Sequence, residues 1–237
     1  DIFLLELATG SVTRVSVASD GTQANGSSGN AVNVNGIRGI DYDPPAISGD
    51  GRFVAFQSSA SNLVPGDGNG VEDVFVFDRG ISPAAPSTMM VSRTPAGVPA
   101  NGASRSPAIS QCMPDQRCAV AFVSTATNLH ASGSDGKSHV YRWSHPNGEI
   151  ERMDCSSSTP QLAHKGDASS PSIGAMGFWV AVTATVEGEE STSVLLSSGD
   201  CSVQLDSTSM PRSDGADFEP VVTEFGDYYP RVVYTTT

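Results

Sequence analysis

The stretch Pro45-Ala46-Ile47-Ser48-Gly49-Asp50-Gly51-Arg52-Phe53-Val54-Ala55-Phe56 decides the fold. Ala46-Ile47-Ser48 reads as a short strand and Gly49-Asp50-Gly51 as a turn. Arg52 to Gln57 is a second strand, with branched and aromatic residues suited to a packed sheet. A polar loop then leads to a third strand, Asp73-Val74-Phe75-Val76-Phe77-Asp78, and Thr88 to Arg93 supplies a fourth.

The same Pro-small-Ile/Val start returns as Pro107-Ala108-Ile109-Ser110, Pro171-Ser172-Ile173-Gly174 and Pro220-Val221-Val222. Recurrence on this scale is the mark of a repeat architecture. In the second unit Cys118 to Phe122, His139 to Trp143 and Glu149 to Met153 take the second, third and fourth strand positions. Phe178 to Thr183, Ser193 to Leu196 and Ser202 to Leu205 take them in the third. After Pro220 only a first strand and a second, Arg231 to Tyr234, remain. The missing third and fourth match Asp1 to Glu6 and Val12 to Ser16.

These units predict an all-β, single-domain chain over residues 1–237, a β-propeller of four-stranded antiparallel blades. The units run approximately 45–106, 107–170, 171–219, and 220–237 joined to 1–44. Four blades result, the last closed by both termini through antiparallel pairing of Ile2–Leu5 with Val232–Tyr234. An excerpt of a larger ring, two associating open copies, a β-sandwich and a solenoid are the rival arrangements. Open strand edges are the expected route to any oligomer.

Composition narrows the partners. The formal net charge is -13, and no basic run interrupts it, so a phosphate backbone is repelled and nucleic acid is excluded as a partner. The longest apolar stretches, such as Phe178 to Thr183, are far too short to cross a bilayer, so no transmembrane insertion is expected. Asp1 stands where an initiator Met would, which fits a processed product or a fragment. Four cysteines allow three complete pairings. The short loop between Cys112 and Cys118 makes a local bridge the preferred one, with Cys155 and Cys201 left to pair; four buried free thiols are the alternative. The bridged reading points to a secreted, cell-surface or periplasmic protein.

The blocks Ser48 to Phe56 and Asn62 to Arg79 resemble the WD40-like repeats of the TolB propeller superfamily, in which Ser-x-Asp-Gly-x-x-Val/Leu-Ala-Phe opens each blade. The resemblance is strong in the first full unit. It weakens from Gln111 onward, where Gln111 to Arg117, and later Ala175-Met176-Gly177, replace the compact turn. It implies an exported interaction platform, a non-enzymatic binding or scaffold protein whose partner is a protein or an extracellular polymer. The alternative is a calcium-assisted extracellular hydrolase or lyase.

Three sets of residues are candidates for function. Asp67, Asn69, Glu72 and Asp73 bring oxygen donors into one Gly-rich loop, which is what Ca2+ requires, although the spacing is not that of an EF-hand. The plain reading is a polar loop whose side chains cap backbone groups. Asn25 and Asn101 lie in matching Asn-Gly loops, with Asp167 and Asp217 in shortened relatives, all placed to line one mouth of the ring. Trp143 and Trp179 fall within strands, where an aromatic wedge between blades explains them better than ligand stacking. No Gly-x-Ser-x-Gly elbow, phosphate loop or dinucleotide fingerprint occurs, so catalysis is left unassigned.

Overall fold

The computed structural model describes residues 1–29, 33–34, 37–38, 43–80, 85–112, 117–130, 137–154, 168–185, 192–197, 203–204, 218–223 and 231–236. Among them every regular element is a strand. β1 (Phe3–Glu6) and β2 (Ser11–Arg14) form a two-stranded sheet, and β3 (Asn33–Val34) and β4 (Ile37–Arg38) a small hairpin. Three four-stranded antiparallel sheets follow. The first holds β5 (Ala46–Ile47), β6 (Phe53–Ser58), β7 (Asp73–Asp78) and β8 (Ser87–Met90). The second holds β9 (Ser104–Ile109), β10 (Cys118–Ser124), β11 (His139–His145) and β12 (Glu149–Arg152). The third holds β13 (Ala168–Ile173), β14 (Val180–Thr185), β15 (Thr192–Ser197) and β16 (Val203–Gln204). β17 (Phe218–Thr223) and β18 (Arg231–Thr236) pair as a last two-stranded sheet.

The strands of each unit are laid down in chain order, so every connection within a sheet joins neighbours and no crossover is needed. Every residue of β6, β7 and β10 is buried, which explains why they read as unbroken apolar runs rather than alternating ones. Side-chain alternation sends the two halves of each run to opposite faces. Val54, Phe56, Phe75 and Phe77 face back onto Ile2 and Val15 of the β1–β2 region. Phe53, Ala55, Val74 and Val76 face forward onto Val120, Phe122, Tyr141 and Trp143. Ala121, Val123 and Val140 in turn face Val180 and Val182. The sheets therefore stack face to face in sequence order. Their first strands lie side by side, β9 next to both β5 and β13, and β13 next to β17.

Each first strand is longer than the Pro-small-Ile/Val signal suggests. β9 starts at Ser104, and its ladder with β10 shifts register between Ala121 and Val123, so Ser106 and Pro107 sit in a bulge. Ser106 takes a φ of +54° there, and its N–H donates to Oε1 of the buried Gln57 at 2.9 Å. In the first sheet the same place carries an insertion. Ser28 bridges to Ser58 and the Gly29 N–H donates to the Gln57 carbonyl, then the chain leaves the sheet with the β3–β4 hairpin before β5 resumes the ladder. Asp43, at the far root of that excursion, accepts a hydrogen bond from the Ser106 hydroxyl.

The expected ladder between Ile2–Leu5 and Val232–Tyr234 is not formed. Among the described residues β1 pairs with β2 alone and β18 with β17 alone. Ile2 and Leu4 instead pack on the face of the first four-stranded sheet, while β17 lies beside β13 and β14 of the third.

Double-sided burial sets the expected cost of core truncation. Phe122→Ala should destabilise by about 3–5 kcal/mol, since a wholly buried ring is lost between two sheets. Val98→Ala, at a side chain 54% exposed, should stay within about 0.5 kcal/mol. Urea unfolding of the two variants measures the contrast.

Candidate functional site

The two Asn-Gly loops build one end of the stack. The Asn25 N–H donates to Asn62 Oδ1 at 2.9 Å, and its Nδ2 donates to Ser61 Oγ at 3.1 Å. Asn25 Oδ1 accepts from the Ser61 N–H at 2.9 Å, and Asn62 Nδ2 donates to the Gln23 carbonyl at 2.8 Å. The next unit repeats all four bonds. Asn101 N–H donates to Asn128 Oδ1 at 3.0 Å, Asn101 Nδ2 to Thr127 Oγ1 at 2.7 Å, Thr127 N–H to Asn101 Oδ1 at 2.7 Å, and Asn128 Nδ2 to the Pro99 carbonyl at 2.9 Å. The following glycine is required by space: a Cβ on Gly26 or Gly102 would lie 2.7 or 2.8 Å from backbone atoms of the clamped loop. The two candidate mouth residues thus occupy equivalent places, with their amides committed to holding loop on loop. Asp167 and Asp217 lie outside the described residues.

Beside the first clamp is an open groove of about 460 Å³, lined by Ala18, Ser19 and Asp20 on one side and by Ser61 to Gly66 on the other. Asp20 is its one charged side chain. The Thr22 N–H donates to Asp20 Oδ1 at 2.9 Å and holds the carboxyl below its ordinary range. The floor is the apolar side of the loop, where Leu63 is buried with Phe56 and Phe75, and Val64 packs against them.

The acidic loop is held by hydrogen bonds of its own. Asn69 Nδ2 donates to Asp73 Oδ2 at 2.6 Å and to the Ala100 carbonyl at 2.9 Å, while its Oδ1 accepts from the Val71 N–H at 3.2 Å. Asp73 Oδ1 accepts from Ser92 Oγ at 2.7 Å. Asn69 and Asp73 are therefore brought together, but with an amide donor facing a carboxylate oxygen. Among the described residues no three His, Cys, Asp or Glu side chains are gathered to hold a metal. Burial raises the Asp73 carboxyl from an ordinary 3.8 to about 6, against the pull of Ser92 and Asn69 and with help from the Asp67 and Glu72 charges. Burial also raises Asp67. It raises Glu72 as well, where Asp43 adds to the effect and Arg105 opposes it.

The place of Asp73 recurs in every unit that can be compared. Asp1 accepts from Ser16 Oγ at 3.1 Å while Ser16 Oγ accepts from the Ile2 N–H at 3.1 Å. Asp73, Ser92 and the Val74 N–H repeat this. In the second unit His139 and Asp154 take over: His139 Nδ1 lies 2.6 Å from Asp154 Oδ2, both side chains are wholly buried, and Arg152 Nε donates to Asp154 Oδ1 at 2.9 Å. This buried trio, in which Arg152 Nη2 also lies 2.7 Å from His139 Nδ1, is absent from the sequence-derived candidates. The signal for it was the alignment of His139 with Asp73 at the head of the third strand.

Cys112 and Cys118 are joined by a disulfide, as the short loop predicts. Cys155 and Cys201 lie outside the described residues. In the first sheet the corresponding turn is closed by Ser48 and Asp50, and Arg52 just beyond it sets Nε and Nη2 each 2.7 Å from a different oxygen of Asp78. Trp143 is buried in the core between the first two four-stranded sheets, the wedge position expected of it. Trp179 is half-buried.

No family model matches the chain, and no curated protein matches it. Among solved structures it is similar to TolB from Acinetobacter baumannii, at 17% sequence identity and a TM-score of 0.43. That alignment covers 99% of this chain and 45% of the TolB chain, so this chain spans less than half the length of that structure.

Two outcomes test the polar site. Asn101→Ala removes the two side-chain clamp bonds of Asn101 and should cost about 1–2 kcal/mol, with Gly102→Ala costing as much or more through overlap with the Thr125 and Ala126 backbone; urea unfolding measures both. Asp73 holds its proton more tightly folded than unfolded, so its penalty is absent below about pH 4 and complete above about pH 6. Asp73→Asn should therefore gain on the parent protein by up to about 2 kcal/mol between pH 4 and pH 7. A stability difference that stays flat over that range overturns this assignment.

Proposed function

We propose that the chain is a binding scaffold of propeller type, exported, and that it takes an extended segment of a protein or an extracellular polymer along the rim built by the Asn-Gly loops. The observation that carries the reading is the repeated clamp. Two successive units fix the same loops at the same end with the same four hydrogen bonds, which makes that end a continuous, preorganised surface.

The propeller arrangement is supported by face-to-face stacking of the sheets and by the neighbouring first strands β5, β9, β13 and β17. The three four-stranded sheets are read as three blades, and the two-stranded β1–β2 and β17–β18 sheets as halves of a further one. The Cys112–Cys118 bridge suits an oxidising compartment and so supports export. The groove at Ala18–Asp20 and Ser61–Gly66 is the part of the rim with room for a ligand chain.

Pro65→Trp tests the binding reading, because Pro65 is exposed and lines the groove. Immobilised parent and variant proteins are exposed to extracellular and envelope fractions, and captured chains are identified by mass spectrometry. A partner held by the parent and lost at least tenfold from the variant, with both melting at the same temperature, is the expected result. Equal capture by the two removes the groove from the proposal.

A further inference from the structure

We propose that Asn147 is a site of spontaneous chemical modification, losing its side-chain amide to give aspartate and isoaspartate in the folded protein, while the fold holds off the same chemistry at the clamped Asn-Gly loops. The reaction needs only water, so the inference is independent of the binding reading above.

An asparagine followed by glycine is prone to this reaction because no side chain shields the next backbone nitrogen. The Gly148 nitrogen attacks Asn147 Cγ. The new N–Cγ bond closes a five-membered imide, the Cγ–Nδ2 bond breaks, and the proton of the Gly148 N–H ends on the departing ammonia. Water then opens the imide. Addition at Cγ leaves an ordinary aspartate, whereas addition at the backbone carbonyl carbon leaves an isoaspartate whose chain runs through Cβ and Cγ. Nothing is oxidised or reduced.

The chain has five Asn-Gly pairs, of which Asn35-Gly36 lies outside the described residues. The other four are one dipeptide in different settings. Asn25 and Asn101 have both amide atoms tied: Oδ1 accepts from the N–H of Ser61 or Thr127, and Nδ2 donates to the hydroxyl of the same residue. Asn69 holds Asp73 and the Ala100 carbonyl through Nδ2 and the Val71 N–H through Oδ1. For Cγ to reach the next nitrogen the amide must turn, and each of these three must first release at least two bonds.

Asn147 is exposed, as Asn25 and Asn101 are, so access to water does not separate them. The difference is that its amide makes no hydrogen bond among the described residues. It sits at the tip of the β11–β12 hairpin, beyond the Ser144–Glu149 pair. What is held there is the nucleophile, because the Gly148 N–H donates to the Ser144 carbonyl at 2.7 Å. That is a single bond at a hairpin tip, and it opens without parting one sheet from the next. The products add a negative charge beside Glu149, and isoaspartate lengthens the hairpin by one backbone atom, while the Asn25 and Asn101 clamps stay intact.

Peptide mapping decides the matter. The full chain is incubated in mildly alkaline buffer well below its melting temperature and then digested. Deamidation at each Asn-Gly peptide is followed by mass spectrometry, with electron-based fragmentation to separate isoaspartate from aspartate. Asn147 should convert at least tenfold faster than Asn25, Asn69 and Asn101, and in urea the four rates should converge. Thr127→Val, which removes one of the two bonds on the Asn101 amide, should raise the rate at Asn101 at least threefold and leave that at Asn147 unchanged. Equal rates in the folded protein, or an earlier reaction at Asn25 or Asn101, overturn the inference. A lead for Asn147 that persists undiminished in urea assigns it to neighbouring sequence instead of structure, and overturns it as well.

Discussion

Burial of the central strands of the first two four-stranded sheets on both faces is the constraint from which the rest of the structure follows. With Phe53–Ser58 and Cys118–Ser124 buried throughout, the central strands of these two sheets have no solvent face. Each must be covered by the next, and no helical layer is available among the described residues to do it. Apolar burial of this kind is non-directional and does not fix how one sheet is rotated on another. The directional bonds come from the loops: the Asn clamps at one end, and at the other the turn contacts in which the Gln111 N–H donates to the Ala175 carbonyl and Arg142 Nη1 donates to the Phe178 carbonyl at 2.7 Å.

Much of this was legible in the sequence because the same physical problem is solved several times with similar residues. Asp73-Val74-Phe75-Val76-Phe77-Asp78 and the Pro-led starts gave the strand count per unit and the antiparallel order. Strand beginnings were less legible. Pro107 cannot donate to a ladder, so it reads as a strand's first residue, whereas it sits in a bulge where no donor is needed and β9 has already begun at Ser104. β8 ends at Met90 rather than Arg93, because Val91 turns back to bond Val74 and Arg93 then bonds Val91. The closure across the ends was the natural reading of two half-units, but sequence similarity says only that they match. It does not say whether they belong to one chain or two.

The candidate site shows the same limit from the side of chemistry. Asp67, Asn69, Glu72 and Asp73 are adjacent in sequence, which suggested a shared cation. In space the partners of Asp73 and Asn69 come from elsewhere, Ser92 beyond β8 and the carbonyl of Ala100 in the next loop. Only a comparison of Asp1 with Ser16 against Asp73 with Ser92 could have revealed the pairing, and those residues are separated by a whole unit. The Asn-Gly loops carried a clearer message, since the requirement for Asn and Gly at fixed places is geometric and was expected from turn chemistry.

What the variation at the Asp73 position then implies is a separation of architecture from recognition. Asp1 with Ser16 and Asp73 with Ser92 repeat one carboxylate–hydroxyl pair, and His139 with Asp154 places a different polar pair between the head of the third strand and the segment after the fourth. A ligand contact would fix the chemical type of each residue, because a cation needs oxygens and an anion needs donors. A tie between strands needs only complementarity, and either polarity satisfies it. A raised carboxyl is often a mark of a functional site, but buried structural networks raise carboxyls as well, and at Asp73 the cause is the closed core behind it. Asp73 is tied to Ser92 and Asn69 within the strand framework, and the Asn-Gly loops are held together at one end of the stack.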